Sequence, residues 1–181
     1  MIVEQNGLKH IYRHDRIGNL ISYTDGLKRT TRFAYDTKGK LTAITEPSGK
    51  RNSFFYDRYG NLKEFTNTQG QNYRYSFDVV GRLLSFTAPG KKATTFEYNQ
   101  GKQPVKVTHP NGAITRYEYN KIDQLTKIID PVKGTTLLDY NLNGQLIRVS
   151  DPKGGEYTYT YDNFGRVVEA QDKLGKRVKF K

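Results

Sequence analysis

One pattern constrains this chain more than any other: an aromatic residue, or histidine in the first copy, returns every 21 residues. Tyr35 and Tyr56 define the interval, and no insertion or deletion interrupts it over eight copies. A fixed short period is typical of repeat architectures, in which each copy is one supersecondary unit that stacks on the next. With this residue as repeat position 0, the column reads His14, Tyr35, Tyr56, Phe77, Tyr98, Tyr119, Tyr140 and Tyr161.

The residues just before this column alternate between large apolar and mostly polar or small side chains. Position −2 is apolar in every copy: Tyr12, Phe33, Phe54, Tyr75, Phe96, Tyr117, Leu138 and Tyr159. Residues such as Ala34, Ser76 and Glu118 lie between the two columns. A spacing of two places both columns on one face of a β-strand, and the alternation is typical of a half-buried strand.

A turn follows each of these strands. Position +1 carries Asp or Asn, whose side chain accepts hydrogen bonds from nearby backbone, and position +4 is usually Gly, which tolerates a positive φ. In two copies Lys102 and Asp123 replace that Gly. We predict that the structural repeat residues are Tyr35, Asp36, Gly39, Leu41, Tyr56, Asp57, Gly60, Leu62, Phe77, Asp78, Gly81, Leu83, Tyr140, Gly144, Leu146, Tyr161, Asp162 and Gly165.

The strand after this turn carries two apolar columns, at positions +6 and +9. Leu41 and Ile44 are one such pair, and Leu62 and Phe65 are another. A spacing of three puts the two columns on opposite faces of a flat strand. The sequence leaves two alternatives open: a β-bulge re-aims one column, or the strand is apolar on both faces.

A second turn, with Pro followed by Gly in several copies, closes each repeat, as in Glu46-Pro47-Ser48-Gly49. Each repeat is therefore a β-hairpin, and seventeen strands are expected from Leu8 onward. The fold class is all-β: an antiparallel β-hairpin repeat array with a 21-residue period, which curls into a spiral sheet or partial β-shell because sheets twist. We predict one array of about eight repeats over residues 1–181.

The net charge of +12 is the bulk property that points to a partner. Arg32, Arg74 and Arg116 share a strand column in every second copy and form a candidate basic face. An alternative function is therefore a stand-alone module that uses this basic face to bind an anionic glycan or a cell surface. Nucleic acid is disfavoured, because the period-two alternation turns the aromatic residues away from the arginines.

The sequence contains none of the common motifs that carry catalysis or bind a metal. There is no Cys, no nucleophile elbow, no phosphate loop and no His-Glu-x-x-His. His10, His14 and His109 are interpreted as structural. We predict no enzyme, no cofactor and no metal, and no apolar run approaches the ~18 residues of a membrane span.

The Tyr-Asp-x-x-Gly-x-Leu columns, the Pro-x-Gly turns and the step of 21 resemble the YD-repeat, or RHS (rearrangement hotspot), family over residues 8–181. That family includes bacterial polymorphic toxins, insecticidal toxin complexes and teneurins. The resemblance implies hairpins that form the wall of a hollow β-shell, which in bacterial members encloses a C-terminal toxin domain. It also implies a chain that is secreted, or delivered to the cell surface, as part of a larger protein.

Three further expectations concern this chain itself. No separate toxin domain is present, so the partners are further repeat sheet or an enclosed toxin domain. A wall segment should leave edge strands near Leu8–His14 and near 176–181 ready to pair, which allows self-association. Asp151-Pro152-Lys153-Gly154 resembles the cleavage motif of the family, but Gly155 follows it and it lies in the second-turn column, so we interpret it as a turn.

Overall fold

The 21-residue pattern folds into antiparallel β-strands. The structure is a computed structural model and describes residues 1–5 and 7–180. It divides into unit 1, Met1–Ala93, and unit 2, Thr94–Lys181. The strands of unit 1 are β1 Ile2–Gln5, β2 Leu8–His14, β3 Leu20–Thr24, β4 Thr30–Tyr35, β5 Leu41–Thr45, β6 Arg51–Tyr56, β7 Leu62–Thr66, β8 Asn72–Phe77 and β9 Leu83–Thr87. The strands of unit 2 are β10 Thr94–Tyr98, β11 Pro104–Thr108, β12 Ile114–Tyr119, β13 Leu125–Asp130, β14 Gly134–Tyr140, β15 Leu146–Ser150, β16 Glu156–Tyr161, β17 Val167–Gln171 and β18 Arg177–Lys179.

Within each unit, every strand pairs antiparallel with the strand that follows it in the chain. Among the described residues of a unit, strands contact only their neighbours in sequence. The predicted all-β hairpin array is therefore confirmed. Whether residues 1–181 form one continuous array stays a prediction.

A β-bulge in each first-turn hairpin decides between the two alternatives for the +6 and +9 columns. Tyr35 pairs with Leu41 and Ala34 pairs with Ala43, so residue 42 has no partner on the opposite strand. Phe33 then pairs with Ile44. The same shift recurs in the hairpins that contain Tyr12, Phe54, Tyr75, Phe96, Tyr117, Leu138 and Tyr159.

Because of the bulge, positions −2, 0, +6 and +9 all lie on one face, which we call the aromatic face. The opposite face, which carries positions −3, −1, +8 and +10, is called the charged face. Neither face forms a closed core. Of the described residues, only Ala43, Val107 and Thr115 are buried, with 2%, 8% and 5% of their surface exposed.

The turns use a left-handed residue, as the glycine columns predict. Gly39 and Gly60 have φ of 78° and 88°. The two residues that replace glycine in the first-turn column also adopt this conformation, with φ of 69° for Lys102 and 66° for Asp123. Lys28, in a second turn, has φ of 61°. A residue with a Cβ is strained by about 1–2 kcal/mol in this conformation.

The predicted free edge at Leu8–His14 is wrong. Strand β1 pairs with β2 along that edge, with Ile2 opposite Ile11 and Gln5 opposite Leu8. Residues 2–5 lack the aromatic column, so the repeat pattern did not indicate a strand there. At the other end, β18 is paired with β17 and is exposed along its length. Lys181, which the second predicted edge included, lies outside the described residues.

Replacing Lys102 with glycine should stabilise unit 2. Glycine adopts φ near 69° without the steric cost that a Cβ carries. We expect Lys102→Gly to raise the free energy of unfolding by about 1 kcal/mol, measured by urea denaturation. Lys121→Gly is the matched control: it lies in a first turn, outside the left-handed positions, and should lower stability by about 0.5–1 kcal/mol. Loss of stability in Lys102→Gly would contradict the strain argument.

Candidate functional site

The Asp or Asn of each first turn closes the turn with both its backbone and its side chain. In the turn 57–61, the N–H of Asp57 donates to the carbonyl of Asn61 at 2.9 Å, and the N–H of Gly60 donates to the carbonyl of Asp57 at 3.0 Å. Asp57 Oδ1 accepts hydrogen bonds from the N–H groups of Tyr59 and Asn61, both at 2.9 Å. The sequence predicted the first of these side-chain bonds; the second was missed.

In nine turns, counting first and second turns together, the residue four places after the Asp or Asn complements it chemically. Aspartates have a second carboxylate oxygen, which accepts from a donor side chain: Asn19 on Asp15, Arg29 on Asp25, Asn61 on Asp57, Arg82 on Asp78 and Arg166 on Asp162. Asparagines have an NH₂ group instead, and they face glutamine: Asn67 with Gln71, Asn99 with Gln103, Asn120 with Gln124 and Asn141 with Gln145, at 2.7–2.8 Å. The pairing of residue types is visible in the sequence, so these side-chain hydrogen bonds could have been predicted from it.

The turn hydrogen bonds lower the pKa of the carboxyl groups below the usual value in Asp15, Asp25, Asp57, Asp78, Asp130, Asp151 and Asp162. For Asp162, the bond from the backbone N–H of Arg166 lowers the pKa most. Partial burial opposes it, and the Arg166 side chain and the N–H of Phe164 lower it further. These carboxylates are therefore committed to the turns as anions at neutral pH.

The tyrosine at position 0 joins each hairpin to the one before it. Its hydroxyl donates to the backbone carbonyl of the position +6 residue in the preceding repeat, on the neighbouring strand. The bonds are Tyr35 to Leu20 at 3.0 Å, Tyr56 to Leu41 at 2.8 Å, Tyr119 to Pro104 at 2.9 Å, Tyr140 to Leu125 at 2.9 Å and Tyr161 to Leu146 at 2.7 Å. Sequence reasoning placed these tyrosines on the apolar face but missed the role of the hydroxyl.

On the aromatic face of unit 1, rings stack on one another from strand to strand. Phe54 and Phe65 have ring centroids 5.2 Å apart, Phe65 and Tyr73 are 5.6 Å apart, and Tyr75 and Phe86 are 5.2 Å apart. The ring faces are used in these contacts. A base or sugar that needs an open ring face therefore has little to stack on in this row.

Arg32, Arg74 and Arg116 all lie on the charged face, at position −3. Arg32 and Arg74 are four strands apart in unit 1, about 19 Å at the usual strand spacing. The guanidinium of Arg74 is 3.5 Å from the Glu64 carboxylate. In unit 2 this face carries cross-strand ion pairs: Glu97 with Lys106 at 2.7 Å, Glu118 with Lys127 at 3.2 Å and Asp139 with Arg148 at 2.7 Å. The face is therefore of mixed charge, and its proposed role in binding stays a prediction.

His10, His109 and the Asp151 segment take part in local hydrogen bonds. His10 Nδ1 lies 2.8 Å from the Tyr23 hydroxyl, and His109 Nε2 lies 2.9 Å from Thr115 Oγ1. Asp151 Oδ1 accepts from the N–H groups of Lys153 and Gly155, both at 2.8 Å, as in the other turns. Across residues 1–5 and 7–180, no three His, Asp or Glu side chains are grouped so that they could hold a metal ion. That part of the chain also lacks any helix long and apolar enough to cross a membrane.

Removing the position 0 hydroxyl should weaken the link between hairpins. Tyr56→Phe loses the hydrogen bond to the Leu41 carbonyl, so we expect a loss of about 1 kcal/mol in the free energy of unfolding. Phe77 offers the reverse experiment, because Phe77→Tyr adds a hydroxyl at the same repeat position and should stabilise unit 1. Urea denaturation of both variants measures the effect. Equal stability of Tyr56→Phe and the parent chain would contradict a linking role.

Stability should fall in acid, because the folded pKa of these aspartates is below the unfolded value. The stabilisation is fully present above about pH 5 and is lost as pH falls through the folded pKa. Asp162→Asn combined with Arg166→Gln copies the Asn141–Gln145 pair and should make unfolding less sensitive to acid. Asp162→Asn alone places an amide donor against the Arg166 guanidinium and should be less stable than the pair at pH 7. Thermal unfolding from pH 7 to pH 2 measures both effects, and identical acid profiles would refute the assignment.

Comparison with known proteins identifies the repeat. The family model described as Teneurin YD-shell matches residues 3–134, and the RHS repeat model matches residues 140–177. No curated protein matches the sequence.

Solved structures share the fold. The chain is similar to the structure titled "Crystal Structure of TcdB2-TccC3 without hypervariable C-terminal region", with a TM-score of 0.63, 16% identity and 91% of this chain covered. It is also similar to "Crystal Structure of TcdB2-TccC3", with a TM-score of 0.60, 17% identity and again 91% of this chain covered. The chain spans about 12% of the length of each of those chains. Because the Teneurin YD-shell match extends over well more than half of the sequence, the chain belongs to this YD/RHS-repeat family.

Proposed function

We propose that this chain is a segment of the wall of a hollow β-shell, in a larger protein that encloses a toxin domain for delivery. The observation that carries the proposal is the single-layer construction of each unit. Among the described residues of each unit, strands contact only their sequence neighbours, and no second layer of the same unit covers either face. A repeat of this kind encloses space when it is extended, instead of burying a core of its own.

The comparisons support this role. The chain belongs to a structural repeat family, and the similar TcdB2-TccC3 chains are about eight times longer. One of those structures is titled as lacking a hypervariable C-terminal region. By analogy, we propose that many more repeats complete the shell, and that the enclosed or delivered activity resides elsewhere in the larger protein. We place that larger protein outside the cell or at its surface.

We further propose that the segment has no catalytic role. The carboxylates repeated next to the tyrosines each accept two backbone N–H bonds at the first turn, as in Asp57 and Asp162. The lowered pKa of Asp57 and Asp162 keeps these two carboxylates ionised, which is the opposite of what a general acid at neutral pH requires. These carboxylates stabilise the turn.

A wall segment should associate through the outer edge of β18. The N–H of Phe180 donates to the Val168 carbonyl on β17, so strand alternation turns the N–H of Lys179 outward. We expect the isolated chain to self-associate as its concentration rises, measured by light scattering after size exclusion. Lys179→Pro should reduce the association, because it removes an outward donor and leaves the inner pairing intact.

Lys173→Pro is the matched control, because Pro occupies the same repeat position in five other turns, for example Pro131 and Pro152. It should associate like the parent chain. A chain that stays monomeric at high concentration would contradict the wall proposal. Enclosure itself is tested on the whole natural protein: limited trypsin digestion should spare the enclosed segment until the shell is unfolded, and digestion at equal rates in both states would refute it.

A further inference from the structure

A cleft of about 330 Å³ opens on unit 1 between the second turns 67–71 and 88–92. Its side chains include Gln71, Asn72, Arg74, Thr87 and Lys91, and we call it the Asn72 cleft. Asn72, Arg74 and Thr87 lie on the charged face, where Arg74 is directly opposite Thr87 in the strand register. The volume is at the lower end of the range for small-molecule sites and suits one sugar unit.

Asn72 carries a hydrogen-bonding atom that the fold leaves unused. Its Nδ2 donates to Thr66 Oγ1 at 3.2 Å. Its Oδ1 is buried and has no hydrogen-bond partner among the described residues. A buried carbonyl oxygen without a donor costs about 1–3 kcal/mol, so it requires an explanation. Oδ1 is shielded from solvent, so a ligand hydroxyl would donate to it from the cleft only after the half-buried Asn72 side chain rotates.

The charged side chains that line the cleft are all positive. Arg74 and Lys91 line it, and none of its described lining residues is a carboxylate. Arg74 contacts the Glu64 carboxylate at 3.5 Å, yet 71% of the Arg74 side chain is exposed. Four other clefts each include at least one aspartate: Asp162; Asp36 and Asp57; Asp130 and Asp151; and Asp172. Compared with these four, the Asn72 cleft is better suited to an anion.

The turns on the two sides of the cleft explain why no carboxylate is present, since the turn 67–71 is held by the amide of Asn67. Ala88 occupies the position that is Asp or Glu in five other second turns. Pro89 is followed by Gly90 with φ of 67°, and the N–H of Lys91 donates to the Ala88 carbonyl at 3.1 Å. These are the features of a type II turn, which needs no side-chain acceptor. The lysines at 91 and 92 therefore have no aspartate in their own turn.

We propose that the Asn72 cleft binds an acidic sugar, one that carries a carboxylate or sulfate group together with free hydroxyls. The anionic group pairs with Lys91 and Arg74, and a sugar hydroxyl donates to Asn72 Oδ1 once the Asn72 side chain has rotated toward the cleft. Gln71 and Thr87 provide further hydrogen-bonding groups beside it. Nucleic acid fits less well, because none of the described lining residues is aromatic and single strands bind mainly by stacking on aromatic rings.

The probes are a heparin tetrasaccharide, which is sulfated, and a hyaluronan tetrasaccharide, which carries only carboxylates. Neutral dextran and a thymidine oligonucleotide serve as comparisons. Titration calorimetry of the whole chain measures affinity, and NMR of the unmodified chain locates the site. We expect an acidic tetrasaccharide to bind and to shift the Asn72 side-chain amide and the Gly90 and Lys91 backbone amides. Whichever of the two acidic probes binds more tightly identifies the sulfate or the carboxylate as the preferred group.

Arg74→Ala and Lys91→Ala should each weaken binding about tenfold, as expected for the loss of one charge-assisted hydrogen bond. Asn72→Ala should also weaken binding while leaving the thermal unfolding temperature nearly unchanged. Arg32→Ala and Arg116→Ala are matched controls: they remove the same charge from the same repeat position where no Asn72 cleft exists. These two controls should bind like the parent chain.

Several results would overturn the proposal. One is equal weakening by Arg32→Ala and Arg74→Ala, because that would indicate attraction by net charge alone. Another is oligonucleotide binding as tight as that of the acidic sugars. Absence of binding, or NMR shifts confined to residues outside the cleft, would also refute it. The NMR result on the unmodified chain stands even where a variant folds poorly.

Discussion

The structure depends on one constraint: within a unit, each strand obtains its stabilisation from the strands adjacent to it in the sheet. The described residues of a unit form no second layer that would bury apolar surface, so contacts between adjacent hairpins must replace a core. The hydrogen bond from the position 0 tyrosine to the carbonyl of the preceding repeat provides such a contact, for example from Tyr56 to Leu41. A tyrosine serves here where phenylalanine does not, because its ring covers the aromatic face while its hydroxyl reaches backbone across the strand boundary.

The bulge after position +6 decides what each face is free to do. It brings Leu41 and Ile44 onto the same face as Phe33 and Tyr35, so the apolar columns are collected on one side. The charged face therefore carries none of these apolar columns, and its residues differ between the units. Unit 1 has the small residues Ser76 and Ser85 there besides the Arg74–Glu64 pair, whereas unit 2 has several acid–base pairs, such as Glu118 with Lys127. A wall built this way keeps one surface constant and lets the other vary.

Much of the fold follows from the sequence, because the 21-residue period repeats the same local signals eight times. The turn roles of the first-turn carboxylates and glycines were predicted from side-chain chemistry, whereas the left-handed conformation of Lys102 was not. The sequence did not show whether the second strand of each hairpin is bulged. A spacing of three fits a flat strand that is apolar on both faces as well as a bulged strand. Strand β1 was missed because a short strand outside the repeat has no column to reveal it. The Asn72 cleft was also invisible, because its orphan oxygen depends on which neighbour Asn72 reaches across the strands.

The cleft and the wall are connected through the rules of the repeat. Most turns are held by a carboxylate, so a negative charge accompanies most clefts between turns. At Ala88 the backbone preferences of Pro89 and Gly90 hold the turn instead, and the carboxylate is no longer needed. Lysines beside that turn can then act on a ligand without competition from an aspartate in their own turn. A binding site can therefore arise in a structural repeat where backbone preferences, instead of a carboxylate, stabilise one turn. The pairing of the strands is unchanged.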